Sequence, residues 1–450
     1  MDYRTLFSQT PPTQLFFKAA IPGSIGMLAS ALYQVADGIF ISRFLGDTAF
    51  AGFNLAMPLV IINFALADLI GLGSAVPISI KLGSKDEKEA NNYFTCASIM
   101  VVLAGILTGA ILALGGRTFL SWMGAQGELL DQATNYLVPY ALCTPLTSIV
   151  FAVDNYLRIC GKIRRSMVLN IYMSIACMGF ELFFLAVLKI GIRGAALGSS
   201  LGMATTVILA FLPFFQGKMQ LRFVKPRFHL KAIREIVSCG LPSFLNNIAG
   251  RITSILMNVV LLQLGGATAV SVYGILMTAD GFVQPLLYGM CDSLQPAVGF
   301  NWGARNFKRV KAIELRCYGA AFVLALLTTA ALALFPRQIA GLFITGNSDS
   351  AYLEMAVNAL LLFSLTYITR WFSYATQSFL SAIEKPVAAS MISVSTALVF
   401  PVLLIVVLWP LGLTGLWLNF AVTAVLAGIL ALILLLRQKD LWNKDGKKPA

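Results

Sequence analysis

Charge is scarce in this 450-residue chain: 12% of residues are Asp, Glu, Lys or Arg, against 58% hydrophobic ones. That balance excludes a water-soluble fold. Histidine is almost absent. The one copy, His229, sits in a basic stretch, where no specific role is expected of it. The seven cysteines, Cys96, Cys143, Cys160, Cys177, Cys239, Cys291 and Cys317, include no C-x-x-C pair. They read as small packing residues, with neither a disulfide framework nor a metal centre expected. No G-x-x-x-x-G-K-[ST] occurs, so the chain carries no phosphate-cradling loop for ATP. Met1 to Thr13 is polar and the first apolar stretch is too long for an h-region, so no cleavable signal peptide is expected.

What the chain has in quantity is long apolar runs. Each needs about 20 residues to cross about 30 Å of hydrocarbon, and twelve such runs can be drawn, near residues 15–42, 49–80, 93–116, 133–158, 166–189, 194–216, 234–264, 268–300, 315–336, 352–382, 387–409 and 412–436. The pattern occurs twice. Ile21-Pro22 returns as Leu241-Pro242, Leu45-Gly46 as Leu264-Gly265, Leu82-Gly83 as Trp302-Gly303, and Gly194 as Gly415, each about 220 residues on. The expected fold is an all-α polytopic membrane protein of twelve transmembrane helices, in two six-helix bundles related by a pseudo-twofold axis along the membrane normal. Its parts are an N-terminal lobe (1–216), a basic linker (217–233), a C-terminal lobe (234–436) and a tail (437–450). The linker is the one connection on its side long enough to let the bundles rock, with Pro226 stiffening its middle.

Lys and Arg placement sets the orientation. With both termini inside, 26 of the basic residues fall on cytoplasmic segments and 5 on outer ones, leaving Arg251 and Arg370 within the membrane. A multi-pass protein of the cell membrane, the inner one where there are two, with both ends cytoplasmic is expected. The net charge of +13 follows from this bias and from attraction to anionic lipid, so the bilayer is the expected partner and nucleic acid is not. Nothing points to an obligate protein partner. With no ATP motif, any uphill work draws on an ion gradient.

An ionisable group inside a span costs about 2.5 to 3.5 kcal/mol on insertion scales, so each needs a reason. Counting by helical rise, Asp37 lies about 9 Å below the outer surface, Glu181 about 12 Å and Ser199 about 8 Å. Two acids and a hydroxyl of one lobe thus share a level, which fits a proton or small-cation site because each carboxylate disfavours the other's charge. Asp154 has Arg158 one turn on, and an i, i+4 ion pair explains it as well as a functional role does. In the second lobe, Arg251 and Asp280 lie equally far from the turn near Gly265 and form the natural structural ion pair. Asp292 and Arg370 are a looser match, and Asp68 has no evident partner. Pro22 and Pro242 open the hydrogen-bond ladder of equivalent first helices and are candidate hinges, though packing alone also accounts for such kinks. Tyr33, Gln34, Met57, Asn155, Asp280, Tyr288, Met290 and Gln377 are candidates to line a central substrate cavity, where aromatic faces and thioethers suit bulky cations.

Four segments carry a family resemblance: YQVADGIFISRFLG (33–46), YLRICGK (156–162), GIRGAALGSS (191–200) and above all QPAVGFNWGA (295–304). The sequence resembles the bacterial branch of the multidrug and toxic compound extrusion family from about Phe16 to Leu436. The resemblance implies secondary active efflux of bulky, amphipathic cations in exchange for protons or Na+, with no cofactor and no enzymatic activity. It implies that Asp37 couples transport to the ion and that Glu181, where the family more often has Asp, is the second acid. Family sodium sites add an Asn and a Thr at positions occupied here by Cys177 and Ser199. Losing the Asn oxygen favours protons, since hard cations want several oxygen ligands. The family's second-lobe acids find no match, the position nearest being Gln377. The alternative is a lipid-linked oligosaccharide flippase of the same superfamily, which needs a cavity rich in Arg and Lys; only Arg251 and Arg370 are on offer.

Overall fold

The structure, a computed structural model, describes residues 3–344 and 350–438. The expected tail 437–450 therefore lies almost wholly outside the described residues. Those residues contain helices and turns and no strand. This is what hydrocarbon imposes, because each backbone N–H and C=O must be satisfied within its own segment.

Twelve crossings can be traced among the described residues. They are α1 (Pro12–Leu45), α2 (Asp47–Gly83), α3 (Glu87–Trp122), α4 (Gly127–Ile159), α5 (Ile163–Val187) and α6 (Ile192–Phe215) in the first lobe. The second lobe begins with one 74-residue helix, Leu230–Gly303, broken at Gly266, whose φ of 63° is left-handed. Its two halves are α7 (230–265) and α8 (267–303). There follow α9 (Phe307–Leu334), α10 (Ser350–Ser364 and Tyr367–Ala382, bent by 47°), α11 (Pro386–Val407) and α12 (Trp409–Leu436).

The duplication reaches the backbone. Left-handed residues recur at Gly46 and Gly266, Lys85 and Arg305, Gly161 and Glu384, and Gly191 and Gly412. The turn after α2 ends with Asp86 accepting from the Glu89 N–H at 3.2 Å, and the turn after α8 ends with Asn306 accepting from the Arg309 N–H at 3.2 Å. Each is a helix N-cap, satisfying a donor the helix cannot.

Buried apolar side chains fall into three clusters. One draws on both lobes and includes Ile78, Phe94, Tyr156, Ile236, Leu294 and Leu380, all in the half that carries the 84–86 and 304–306 turns. The other two, around Tyr136 in the first lobe and Phe363 in the second, occupy the opposite half and do not merge. The lobes are therefore joined at one end and separate at the other.

The joint is made by glycine. A Cβ on Gly240 of α7 would lie 1.9 Å from the Leu69 carbonyl oxygen of α2, and one on Gly73 of α2 would lie 2.2 Å from the Ile236 oxygen. Gly23 of α1 meets Gly289 of α8, and Gly83 and Gly303 meet the backbones of α8 and α2. Backbones in van der Waals contact admit no side chain, which is how small residues hold helices together in lipid.

The N-terminal segment closes this end. It was expected to be merely polar, but Tyr3, Leu6 and Phe7 are buried, and the single π-turn Thr5–Gln9 lies across both lobes. Phe7's carbonyl accepts from Asn301 Nδ2 at 3.0 Å and from Arg309 Nε at 2.7 Å, while Arg4 pairs with Glu87 of α3. The linker, expected as the connection long enough to let the bundles rock, runs along α3 of the first lobe. Asn91 and Asn92 of α3 accept from the Arg222 and Arg227 N–H groups, both at 2.8 Å, and Thr95 Oγ1 accepts from the Val224 N–H at 3.1 Å. Residues 222–227 are thus pinned to the first lobe, and α7 starts at Leu230, earlier than the expected 234.

Gly240→Val should lower the Tm, since the α2–α7 crossing must open to admit the side chain, at a cost of about 1 to 3 kcal/mol. Gly250→Val, at an α7 position with nothing within 4 Å, is the control. Equal melting of the two variants in detergent would contradict the packing described.

Candidate functional site

Two polar sites emerge, one inside the first lobe and one between the lobes. The first is assembled by α1, α4, α5 and α6. Gly198 and Gly202, spaced G-x-x-x-G on α6, bring α5 to backbone contact: a Cβ on Gly198 would lie 2.5 Å from Glu181 Cα, and one on Gly202 2.5 Å from Cys177 N and Sγ. That approach fixes Cys177 and Glu181, four residues apart on one face of α5. Cys177 Sγ is 3.3 Å from the Ser199 carbonyl oxygen. From α1 come Tyr33 and Asp37, also four residues apart, and from α4 comes Tyr136, which packs edge-on against Phe53 at 5.1 Å.

Asp37, Glu181 and Ser199 are all buried. The Asp37 and Glu181 carboxyl groups lie close enough for each to act on the other's charge. Among the described residues, Asp37 Oδ1, both Glu181 oxygens and Ser199 Oγ find no hydrogen-bond partner. Two ionised carboxylates can only accept. Such a pair, buried together, requires a proton or a cation. Just beyond Glu181, α5 widens into the π-turn Phe183–Val187, a local irregularity frequent at functional sites.

The second site lies where the lobes meet. Asp154 Oδ2 pairs with Arg158 Nη2 at 2.6 Å, and Asp154 Oδ1 accepts from Ser166 Oγ at 2.5 Å and Asn170 Nδ2 at 2.8 Å. Arg158 is buried and also donates to Ser293 Oγ of the second lobe at 3.2 Å. On the other side Asp292 accepts from Tyr374 at 3.0 Å and from Ser378 at 3.1 Å, and Tyr374 stacks on Tyr288 at 3.8 Å between centroids. Asp68 of α2 lies within electrostatic reach of both Asp292 and Asp154. Arg158 thus pairs with Asp154 and acts on Asp292, while Asp68 lies near both acids, beside two stacked rings.

A sequence model described as MatE matches residues 22–184 and 242–407, one stretch in each lobe. The chain belongs to the MatE family. Among its relatives is the multidrug export protein MepA of Staphylococcus aureus (strain N315), 25% identical over 98% of this chain and 97% of that protein. MepA of Staphylococcus saprophyticus is 24% identical over 95% and 94%. Solved structures that share the fold include an outward-facing multidrug resistance MATE transporter of the MOP superfamily (TM-score 0.92, 23% identity, 99% of each chain). Another is a MOP superfamily transporter from Pyrococcus furiosus whose binding pocket has reversed polarity (TM-score 0.91, 23% identity, 98% of this chain and 99% of that one). The present MatE chain is accordingly a multi-pass membrane protein of a transporter family.

Within this MatE fold, Asp37, Glu181 and Ser199, counted to one depth, lie on neighbouring helices, with Cys177 on the same face as Glu181 and the cavity candidate Tyr33 one turn from Asp37. Asp154 does not join them; it is committed to Arg158, Ser166 and Asn170, the ion-pair reading of its spacing. Arg251 and Asp280 do not pair. Asp280 is turned toward α10, where Tyr367 donates at 2.6 Å and Arg370 Nη1 at 2.9 Å, while Arg251 is exposed on α7. The looser Asp292–Arg370 match fails for the same reason. Among the cavity candidates, Tyr288 meets Tyr374, Asn155 bonds back to the Phe151 carbonyl of its own helix at 3.0 Å, and Gln34 is exposed. Met290 is instead packed in the shared core, and Met57 packs against the core of the first lobe. Gln377 is buried on α10, and Pro22 and Pro242 are buried within α1 and α7. Tyr136 was not singled out from sequence; only the G-S-S-L-G spacing of 198–202 could have signalled the α5–α6 contact beside it.

Gly202→Val should force α5 from α6 and expose Cys177. In the native protein Cys177 should resist a maleimide that labels half-exposed Cys143, and in the variant both should react. A Cys177 that stays unreactive in the variant, read by mass spectrometry, would mean that Gly202 does not hold the site shut.

Proposed function

We propose that this MatE protein is a secondary active efflux transporter that exports bulky, amphipathic cations in exchange for protons by alternating access. The observation that carries the reading is the neighbouring Asp37–Glu181 pair in the first lobe, buried, with Asp37 Oδ1 and both Glu181 oxygens lacking a protein donor. It sits in the cell membrane with both termini and the sealed end cytoplasmic, which agrees with the basic residues at that end. The conformation described is then the outward-facing one.

The cycle follows from charge. A proton entering from outside joins the Asp37–Glu181 pair, and α1 carries the change toward the seam. Pro22 adjoins Gly23, the residue in contact with Gly289, about 21 Å along α1 from Asp37 by helical rise. Pro22 leaves the Lys18 carbonyl without its helical partner, so a bend there moves the contact itself. Ser24 Oγ, which donates to the Leu286 carbonyl at 2.8 Å, moves with it. Cationic cargo is held by Asp68 and Asp292 and by the faces of Tyr288 and Tyr374. Only a difference in cargo affinity between the two states drives export. Cys177 in place of an oxygen ligand supports the proton over Na+.

The flippase alternative is not favoured. A pyrophosphate needs several free cations; Arg158 and Arg370 are both committed to aspartates, which leaves Arg251 alone on the surface of α7. The MepA relatives, exporters of multiple drugs by name, support efflux.

In energised inside-out vesicles, Asp37→Asn and Glu181→Gln should each reduce uphill transport of a fluorescent cation such as ethidium to the level seen with a proton uncoupler, while binding persists. A Na+ gradient alone should drive nothing. Uphill transport that survives in Asp37→Asn, or that follows Na+ at zero pH difference, would overturn this function.

A further inference from the structure

The second lobe holds a buried acid that the reading above leaves unused. Glu314 lies two turns into α9, buried, and its Oε1 has no hydrogen-bond partner. Beside it is a cavity of about 10 Å³, lined by Cys291, Gln295, Glu314, Cys317 and Ser378 among others. That is room for about one water molecule. Gln295 Oε1, also buried, is the second unpartnered acceptor lining the same space. Its amide nitrogen is spent elsewhere, on Asp292 Oδ1 at 3.0 Å and Ser378 Oγ at 2.9 Å.

Two oxygens that can only accept call for a guest that donates. A bare Na+ is a poor fit, because two free oxygens and a serine fall short of the ligand number hard cations take, and the thiols opposite, 3.7 Å apart, are soft. A proton on Glu314 with one water between it and Gln295 satisfies both acceptors. The ionisable groups around the site are Cys291 and Asp292 of α8, and Lys311, Arg316, Cys317 and Tyr318 of α9 itself. On α10 they are Tyr367, Arg370 and Tyr374, the first two committed to Asp280 and the third to Asp292. Lys18 is the ionisable group in the first half of α1.

We propose that Glu314 and Gln295 form a second proton site, in the C-terminal lobe, whose occupancy is tied to cargo on Asp292 through the single amide of Gln295. Both N–H groups of the amide are taken, one by Asp292 and one by Ser378, so none is left for Glu314. While Asp292 is free, its charge holds the Gln295 nitrogen and leaves the oxygen toward the cavity, so Glu314 keeps its proton. When a cation neutralises Asp292, the amide is released to turn its N–H toward Glu314, which then ionises. Cargo binding from the cytoplasm would so expel a proton from the second lobe as well as the first. The inference rests on the proton-antiport reading and extends it from one site to two.

The test is proton release on binding tetraphenylphosphonium to the purified full chain in weak buffer with a pH-indicator dye, for wild type, Glu314→Gln and Asp37→Asn. By linkage, release equals the pH slope of affinity, so both are read. Glu314→Gln should bind the probe and release about half the wild-type protons, with a correspondingly shallower pH slope, and Asp37→Asn should retain the Glu314 share. Unchanged release and slope in Glu314→Gln would overturn the proposal. Release lost with Asp37→Asn alone leaves the antiport reading intact while sinking this one; release lost with Glu314→Gln alone does the reverse. Should Glu314→Gln not fold, Glu314→Asp withdraws the acid from the cavity by one methylene, and an unmoved pH slope in that variant is likewise fatal.

Discussion

Backbone contact through glycine is the constraint on which this molecule depends. Lipid gives helices no hydrophobic reason to prefer one another over acyl chains, so association rests on close packing and polar contacts. At Gly23, Gly73, Gly83, Gly240, Gly289 and Gly303 the lobes approach until no Cβ could intervene. Every one of these glycines lies on α1, α2, α7 or α8, the first two helices of each repeat. The duplication makes the joint nearly self-complementary: α1 meets α8, α7 meets α2, and α2 meets α8. A joint of bare backbone is also smooth. Where backbones touch directly, the two bundles can part and re-form the contact without repacking at those points, although the shared apolar cluster beside them must separate.

The polar groups are arranged around that joint according to how they are satisfied. Those that are fully partnered, Asp154 with Arg158 and Asp280 with Arg370 and Tyr367, sit where a rigid wall is wanted. Breaking such a buried pair by removing one member is costly because it strands the other charge. Those that lack partners, Asp37 with Glu181 and Glu314 with Gln295, lie inside single lobes and away from the glycine contacts. An acceptor without a donor is a poor structural element and a good place for an ion that comes and goes. Among the described residues, the buried acids with an unpartnered oxygen, Asp37, Glu181 and Glu314, thus lie in parts that can change protonation without loosening either bundle.

Much of this was legible in the sequence, and the remainder was hidden for a definite reason. Length of apolar runs and the 220-residue repeat set the twelve crossings and two lobes, because hydrocarbon thickness and helical rise leave little freedom. Depth was legible too: counting residues from charged ends brought Asp37, Glu181 and Ser199 to one level, where they do meet. Rotation about each helix axis was not. Arg251 and Asp280 share a level yet face different neighbours, and Met290 points into the core rather than into a cavity. Tyr3 and Phe7 escaped notice because a polar segment of short length gives no periodicity, and its apolar side chains gain meaning only from the groove that receives them. Glu314 lay one residue outside the ninth run as drawn, since a hydropathy window stops at the first acid it meets.

The sealed end cannot be too stable if the protein is to cycle. To move a two-state equilibrium from 1:99 to 99:1 a ligand must discriminate by about 5.5 kcal/mol, so the net preference for one state is limited to a few kcal/mol. The glycine contacts, the Arg158–Ser293 bond, and the N-terminal turn held by Asn301 and Arg309 together favour closure at this end. What opposes them must form at the other end when this one opens. The separate cores of the outer halves are where that surface is available: they belong to different lobes, include Phe53 and Tyr136 on one side and Tyr273 and Phe363 on the other, and do not meet in the present state. Protonation need supply only the difference between two nearly balanced closures, and a buried carboxyl pair gaining or losing one charge is of that magnitude.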